Sequence, residues 1–150
     1  MKILIIYKSI HTQSTKKIVS AFSKVCDLTI TTPEEFNIDT FNEYDLIGLG
    51  SGIYMQQHHR SLLNLVDKLP KTPKKVFIFS TAGTTLFDFH SKLRKKLIAN
   101  NYTVVGEYKS KGCNKFGPLK IINGMNKSHP NDYECSEAQN FLIYLIQKNK

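Results

Sequence analysis

No apolar run in this chain approaches the ~18 residues that a bilayer-spanning helix needs. The N-terminal run, Ile3 to Ile6 before Tyr7 and Lys8, is too short for a signal-peptide core. The expected location is therefore the cytoplasm, with no membrane span. Cysteine is sparse as well: Cys26, Cys113 and Cys135 are odd in number, widely spaced and form no C-x-x-C. Free thiols fit that spacing better than disulfides or a zinc knuckle, with Cys26 in the core. No metal site is expected, because His11, His90 and His129 are isolated and the adjacent His58 and His59 would diverge on a helix. Repeats and low-complexity segments are missing too. Acidic residues are in short supply, 12 against 21 basic ones, for a net charge of +9. That balance suits an acidic partner, a nucleic acid or a membrane surface. Yet 19 of the 21 basic residues are Lys in a chain also rich in Ile and Asn, a pattern that AT-rich coding produces unaided. Arg60, Lys92, Arg94, Lys95 and Lys96 accordingly read as a solvated helix face, with a docking patch as the other reading, and no nucleic-acid partner is expected.

What is present is enough for one domain, residues 1–150, with 41% hydrophobic residues to fill a core. Ile3, Leu4, Ile5, Ile6 and Tyr7 form a near-continuous apolar run, the mark of a strand buried on both faces. Further strands are expected at residues 28–31, 46–50, 76–79 and 102–106. Helical spacing appears in Ile18, Phe22 and Val25 with Val19 and Cys26, in Leu62, Leu65, Val66 and Leu69, in Leu93 and Leu97, and in Ala138, Phe141, Leu142, Leu145 and Ile146. Asn131 with Glu134, after Pro130, resembles a capping box at the start of the last helix. Strands that alternate with helices predict a doubly wound parallel sheet, five-stranded, in a three-layer α/β/α domain. Residues 32–44 offer only a degenerate helix or an irregular crossover between the second and third strands. Residues 110–130, with Gly112, Gly117, Pro118 and Gly124, form a long aperiodic segment. A segment of that length calls for a function, and a wall beside the ligand site is the expectation.

In such a sheet a ligand sits outside the carboxyl ends of the strands, where strand order reverses. Three strand ends share one chemistry: small, hydroxyl-bearing and flexible. After the first strand come Ser9, His11, Thr12, Gln13, Ser14 and Thr15; after the third Ser51, Gly52, Ile53, Tyr54 and Met55; after the fourth Ser80, Thr81, Ala82, Gly83 and Thr84. A hydroxyl-rich turn that opens a helix offers a phosphate neutral donors and the positive end of the helix dipole. Capping of the helix by Ser14 or Thr12 is the simpler account of the same turn. His11 is either a phosphate partner or a solvated loop residue, and Tyr54 either stacks on a flat ring or lies at the core edge. No strand end carries a hydrolase's serine–histidine–aspartate set, and Gly50, Ser51 and Gly52 lack the G-x-S-x-G spacing.

Together these loops make the chain resemble the short-chain flavodoxins and flavodoxin-like proteins. That family's first loop reads S/T-x-T-G-x-T, and here Ser9 frames it and Ser14 with Thr15 closes it. The loop departs by one extra residue and by Gln13 in place of the usual Gly. The resemblance spans essentially the whole chain. It implies strand order 2-1-3-4-5, bound FMN, and a carrier that shuttles electrons between redox partner proteins. Under it, the loops after the third and fourth strands would hold the flavin edges. Two alternatives stand beside the carrier. One is a flavodoxin-fold oxidoreductase acting on a quinone, NAD(P)H or protoporphyrinogen; residues 52–62 resemble the flavodoxin-like protoporphyrinogen oxidases. The other is a degenerate fold that lost FMN and binds an anionic partner.

Overall fold

The computed structural model describes residues 1–10, 13–111 and 129–150. The chain order is β1 (Ile3–Lys8), α1 (Ser14–Ser23), β2 (Thr29–Thr31), a 3-10 helix (Ile38–Glu43), β3 (Leu46–Tyr54), β4 (Gln57–His58), α2 (Arg60–Val66), β5 (Lys74–Ala82), α3 (Ser91–Ala99), β6 (Tyr102–Lys111) and α4 (Asp132–Lys148). The sheet runs β2-β1-β3-β5-β6, with every pair parallel. With the two-residue β4 set aside, that is the expected order 2-1-3-4-5. The crossover at residues 32–44 contains the 3-10 helix, the degenerate element that the sequence implied.

Alternation along the strands explains the layers. On β1, Ile3 and Ile5 enter one core with Ile18, Phe22, Ala138 and Leu142, beneath α1 and α4. Leu4 and Ile6 enter the other with Leu62, Val66, Leu93 and Leu97, beneath α2 and α3. A strand buried on both faces must be apolar at every position, which is why this run shows no alternation. Phe22 stands edge-on to Phe77 and Phe79, with centroids 5.9 and 5.2 Å away, and seats α1 on the sheet. The two phenylalanines lie flat across β3 because Gly48 and Gly50 have no Cβ; one added at either would come within 2.3 Å of a ring. Truncating a buried ring of this kind costs about 3–5 kcal/mol.

Several element ends differ from the sequence reading. β3 and β5 continue through Ser51, Gly52, Ser80 and Thr81, because those residues still pair in register with one another. β6 likewise continues to Lys111, so Ser110 and Lys111 are strand and not loop. Residues 112–128 of the long aperiodic segment, with Cys113, lie outside the described residues. Val25 and Cys26 follow the end of α1, where they pack against the core half-exposed. At α4 the expected capping box is present: Asn131 Oδ1 accepts from the Glu134 amide at 2.9 Å, and Glu134 reaches back to the Asn131 amide. The Glu134 carboxylate also accepts from Ser110 Oγ at 3.0 Å and from the Lys111 amide at 2.9 Å, and it meets His129. Burial works to raise its pKa; His129 and the amide donors outweigh that and lower it.

Candidate flavin site

The crevice lies between β1 and β3, from which α1 and α2 leave on opposite faces of the sheet. On its first side, Gln13 precedes α1 with φ 60° and ψ 23°, the left-handed conformation. A glycine adopts that conformation at little cost, whereas the Gln13 side chain makes it strained. Ser14 is the first helical residue, so the N-cap position falls to Gln13, whose side chain makes no cap bond, and no acidic residue stands in the first turn. Of the two residues that the capping account named, Ser14 is therefore not at the cap position, and Thr12 lies outside the described residues. Cap residues lie outside the helix in extended backbone, and Ser14 is already inside. His11 lies outside the described residues as well. Of the nearby cations, Lys8 Nζ is 2.8 Å from Glu34 Oε1, whose pKa it lowers through that hydrogen bond. Lys17 Nζ donates to the Pro130 carbonyl at 3.1 Å, and Lys16 is exposed.

The hydroxyls that the sequence brought forward are mostly spent within the protein. Thr15 Oγ1 and Thr81 Oγ1 lie 2.9 Å apart and tie the start of α1 to the end of β5. Ser51 Oγ accepts from the His59 amide at 2.9 Å and donates to the Gly52 carbonyl at 2.6 Å. Ser80 Oγ meets His90 Nε2 at 2.6 Å. Ser9 is the exception: its Oγ is buried with no partner among the described residues.

That orphan atom tests whether the site suits a flavin mononucleotide. A buried hydroxyl left unbonded costs about 1–3 kcal/mol, and a phosphate oxygen beside it would remove the cost. A helix start at which Gln13 makes no side-chain cap bond and no carboxylate stands in the first turn suits an anion as well. The residues fit the group.

On the second side, Tyr54, Met55, Gln56 and Gln57 make a two-residue hairpin that pairs β3 with β4. Met55 (φ 52°) and Gln56 (φ 66°) are both left-handed, as a type I′ turn requires. Tyr54 folds back: its ring is edge-on to His59 at 5.3 Å, and its hydroxyl bonds to the Ile10 backbone. Its Oη would stand 2.8 Å from a Cβ at Gly52, so no side chain fits there. Met55, 94% exposed, carries the free side chain at the tip.

The third loop, residues 83–90, includes Leu86 and Phe87, exposed by 86% and 60%. Arg94 braces it: Nη1 and Nη2 reach Asp88 at 3.1 and 2.9 Å, while Nε and Nη2 reach Glu107 at 2.8 Å each. Arg94 pulls the Asp88 pKa down to about 2 and lowers that of Glu107. Arg94 is therefore no part of an open cationic face, and Lys96 is also occupied, 2.7 Å from Asp67.

Two sequence expectations need correction. His58 and His59 do not share a helix; His58 ends β4, and His59 caps α2 by accepting from the Ser61 amide at 3.0 Å. His90 is not isolated, since its ring centroid lies 5.0 Å from that of His58. A serine–histidine–acid line also exists, because His90 Nδ1 is 2.8 Å from Glu107 Oε1 while Nε2 meets Ser80. Only strand register brings these residues together, and no local motif announces it. Ser80 is buried in a central strand, and the recess that it lines with Phe87 and Phe89 has no room for even a water molecule, so this recess gives a substrate no approach to it. Among the described residues, no three His, Cys, Asp or Glu side chains are grouped to hold a metal ion. Likewise, none of their helices is long and apolar enough to cross a membrane.

Known proteins share this architecture. Residues 4–106 match the family model described as Flavodoxin domain, and the chain belongs to the flavodoxin family, whose members bind flavin, typically FMN. An uncharacterized protein of Methanocaldococcus jannaschii is 42% identical over 149 residues, covering 98% of this chain and 99% of its own. Oxidised flavodoxin 2 from Bacillus cereus superposes with a TM-score of 0.70 at 17% identity, over 99% of both chains. A flavodoxin from the domain Archaea gives 0.68 at 16% identity, covering 99% of this chain and 98% of its own. At such identities the two solved structures speak to the fold alone.

Proposed function

We propose that this protein binds FMN and carries electrons between redox partner proteins. The observation that carries the reading is the buried, unpartnered Ser9 Oγ on the segment that leads into α1, whose N-cap residue, left-handed Gln13, makes no side-chain cap bond. Ser9, His11, Thr12, Gln13, Ser14 and Thr15 would surround the phosphate. The ring would lie between residues 51–55 and 80–84. With the hydroxyls of Ser51, Ser80 and Thr81 engaged elsewhere, contacts from those two loops would come mainly from backbone. When bound, the flavin supplies the redox chemistry; the chain holds its phosphate, orients it and limits its exposure to water. Exposed Met55, Leu86 and Phe87, on adjacent loops at that edge, support docking of a partner protein there.

FMN should bind more tightly than riboflavin, because only FMN offers a phosphate to the first loop. Fluorescence quenching compares the two directly. Equal affinities would sink the phosphate assignment, and a protein that stays colourless with added FMN would leave only a flavin-free binding role. Turnover of NAD(P)H, a quinone or protoporphyrinogen by the loaded protein would replace the carrier with an oxidoreductase.

A further inference from the structure

Beneath the crevice, the hairpin after β3 and the loop after β5 meet at two buried imidazoles. His58 comes from the hairpin and His90 from the end of the second loop, with ring planes inclined by 47°. Their hydrogen bonds fix both tautomers. His58 Nε2 lies 3.0 Å from the Phe79 carbonyl, which only accepts, so Nε2 carries the proton and Nδ1 is bare. That bare Nδ1 is buried without a partner among the described residues. His90 donates from Nδ1 to the Glu107 carboxylate and accepts the Ser80 hydroxyl at Nε2. Burial disfavours the charged form of both rings. A phenyl ring at the His58 position would remove the orphaned nitrogen but also leave the Phe79 carbonyl without this donor.

We propose that the neutral His58–His90 contact is a latch that fixes the separation of the two cofactor loops, and that protonation in mild acid opens it and releases the flavin ring. The inference rests on the flavin reading above. A proton added to His58 Nδ1 would point at no acceptor and face the second imidazole, with Glu107 the nearest anion. A proton added to His90 would sit on Nε2 against the Ser80 hydroxyl, while Nδ1 already donates to Glu107, both of whose oxygens Arg94 from α3 also occupies. Lys109 from β6 adds a further positive charge, and Asp88 is spent on Arg94. Burial and the neighbouring ring hold the His58 pKa down to about 3, and burial also lowers that of His90 despite Glu107. In an opened, hydrated hairpin the rings would return to about 6.5. Below that pH each proton favours the open form, whose equilibrium constant should rise by up to about tenfold per pH unit for each ring that titrates.

The test uses riboflavin, which has no phosphate to titrate, together with hydrogen exchange on the flavin-free protein. Riboflavin affinity and exchange at residues 53–59 and 83–90, corrected for intrinsic rates, are followed from pH 7.5 to 5. In the wild type, affinity should fall and both loops should exchange faster below pH 6.5, while β1 stays protected. His58→Phe should flatten both responses, and His90→Gln provides a second variant should His58→Phe not fold. A wild type with pH-independent loop exchange, or a folded His58→Phe protein with an undiminished acid response, overturns the latch. Loops that open in acid in a protein with no flavin affinity would keep the latch and remove the flavin reading. Tight flavin binding over loops indifferent to pH would do the reverse.

Discussion

The two loops that flank the crevice are built in opposite ways. The hairpin after β3 turns on two consecutive left-handed residues, Met55 and Gln56, neither a glycine, and it exposes Met55 almost completely. Among the described residues its ties carry no ion pair: Tyr54 to the Ile10 backbone, the pairing of residues 53–54 with 57–58, and His58 to the Phe79 carbonyl and against His90. The loop after β5 has no left-handed non-glycine residue between 83 and 90, and it is lashed down instead. Arg94 forks between Asp88 and Glu107, Asp88 Oδ1 accepts from the His90 amide at 3.1 Å, and Lys109 Nζ donates to the Phe87 carbonyl at 3.3 Å. One wall stores backbone strain under weak restraint, and the other is unstrained and braced. A site made this way can adjust to a ligand on one side without losing position on the other.

The largest test of that contrast removes the brace. Arg94→Ala deletes four charge-assisted hydrogen bonds and leaves Asp88 and Glu107 without their guanidinium. Buried bonds of this kind are worth more, but Arg94 is 29% exposed, and the water there reduces the cost to about 2–3 kcal/mol in total. Urea unfolding should record that loss. Hydrogen exchange should quicken most at residues 83–90 and less in the β3–β4 hairpin, which keeps its bonds from Tyr54 to Ile10 and from His58 to Phe79. If both loops loosen equally, they form one unit and the contrast fails.

A smaller effect should come from pH. His58 and His90 have native pKa values below their unfolded ones, so the native state binds fewer protons than the unfolded chain. Stability from these rings is complete above about pH 6.5 and falls as pH drops below it, by at most about 1.4 kcal/mol per pH unit per ring. For His58 the window extends down to about pH 3. Glu107 and Asp88, both lowered chiefly by Arg94, add further loss only below about pH 4, where unfolded carboxylates begin to bind protons. Urea titrations from pH 7 to 5 isolate the histidine window. A flat profile there would mean that the native rings take up protons as readily as the unfolded ones and are not buried as described.

The sequence carried what is local. The apolar runs of β1, β3 and β5, the amphipathic helices and the Asn131–Glu134 capping box are all written within a few residues of one another. The three strand ends were legible as a group because ligand position in an open sheet follows from topology. The brace and the histidine pair were not. They depend on Glu107 standing opposite Ile78, and His58 opposite Ile53, and pairing register across a sheet leaves no local signature. The hairpin itself was hidden for a chemical reason. Two-residue turns with left-handed residues normally announce themselves as Asn-Gly or Asp-Gly, and here Met55 and Gln56 occupy the turn. Where Ser51 and Ser80 were read as loop donors, they still belong to strands, and their hydroxyls serve neighbouring residues.

The smallest expected effect comes from removing the strain on the other wall. A side chain held at positive φ costs about 1–2 kcal/mol, whereas glycine adopts that region freely. Glycine also widens the unfolded ensemble, which takes back part of the gain. Gln56→Gly should therefore stabilise the protein by about 0.5–1 kcal/mol, seen as a higher urea midpoint at an unchanged slope. Gln13, left-handed at the start of α1, should respond in the same sense. Asn101 provides the control, since its φ is 72° but asparagine tolerates the left-handed region. Asn101→Gly should shift the midpoint by less than Gln56→Gly does. If all three substitutions shift it equally, the hairpin holds no special strain, and the difference between the two walls reduces to the Arg94 brace alone.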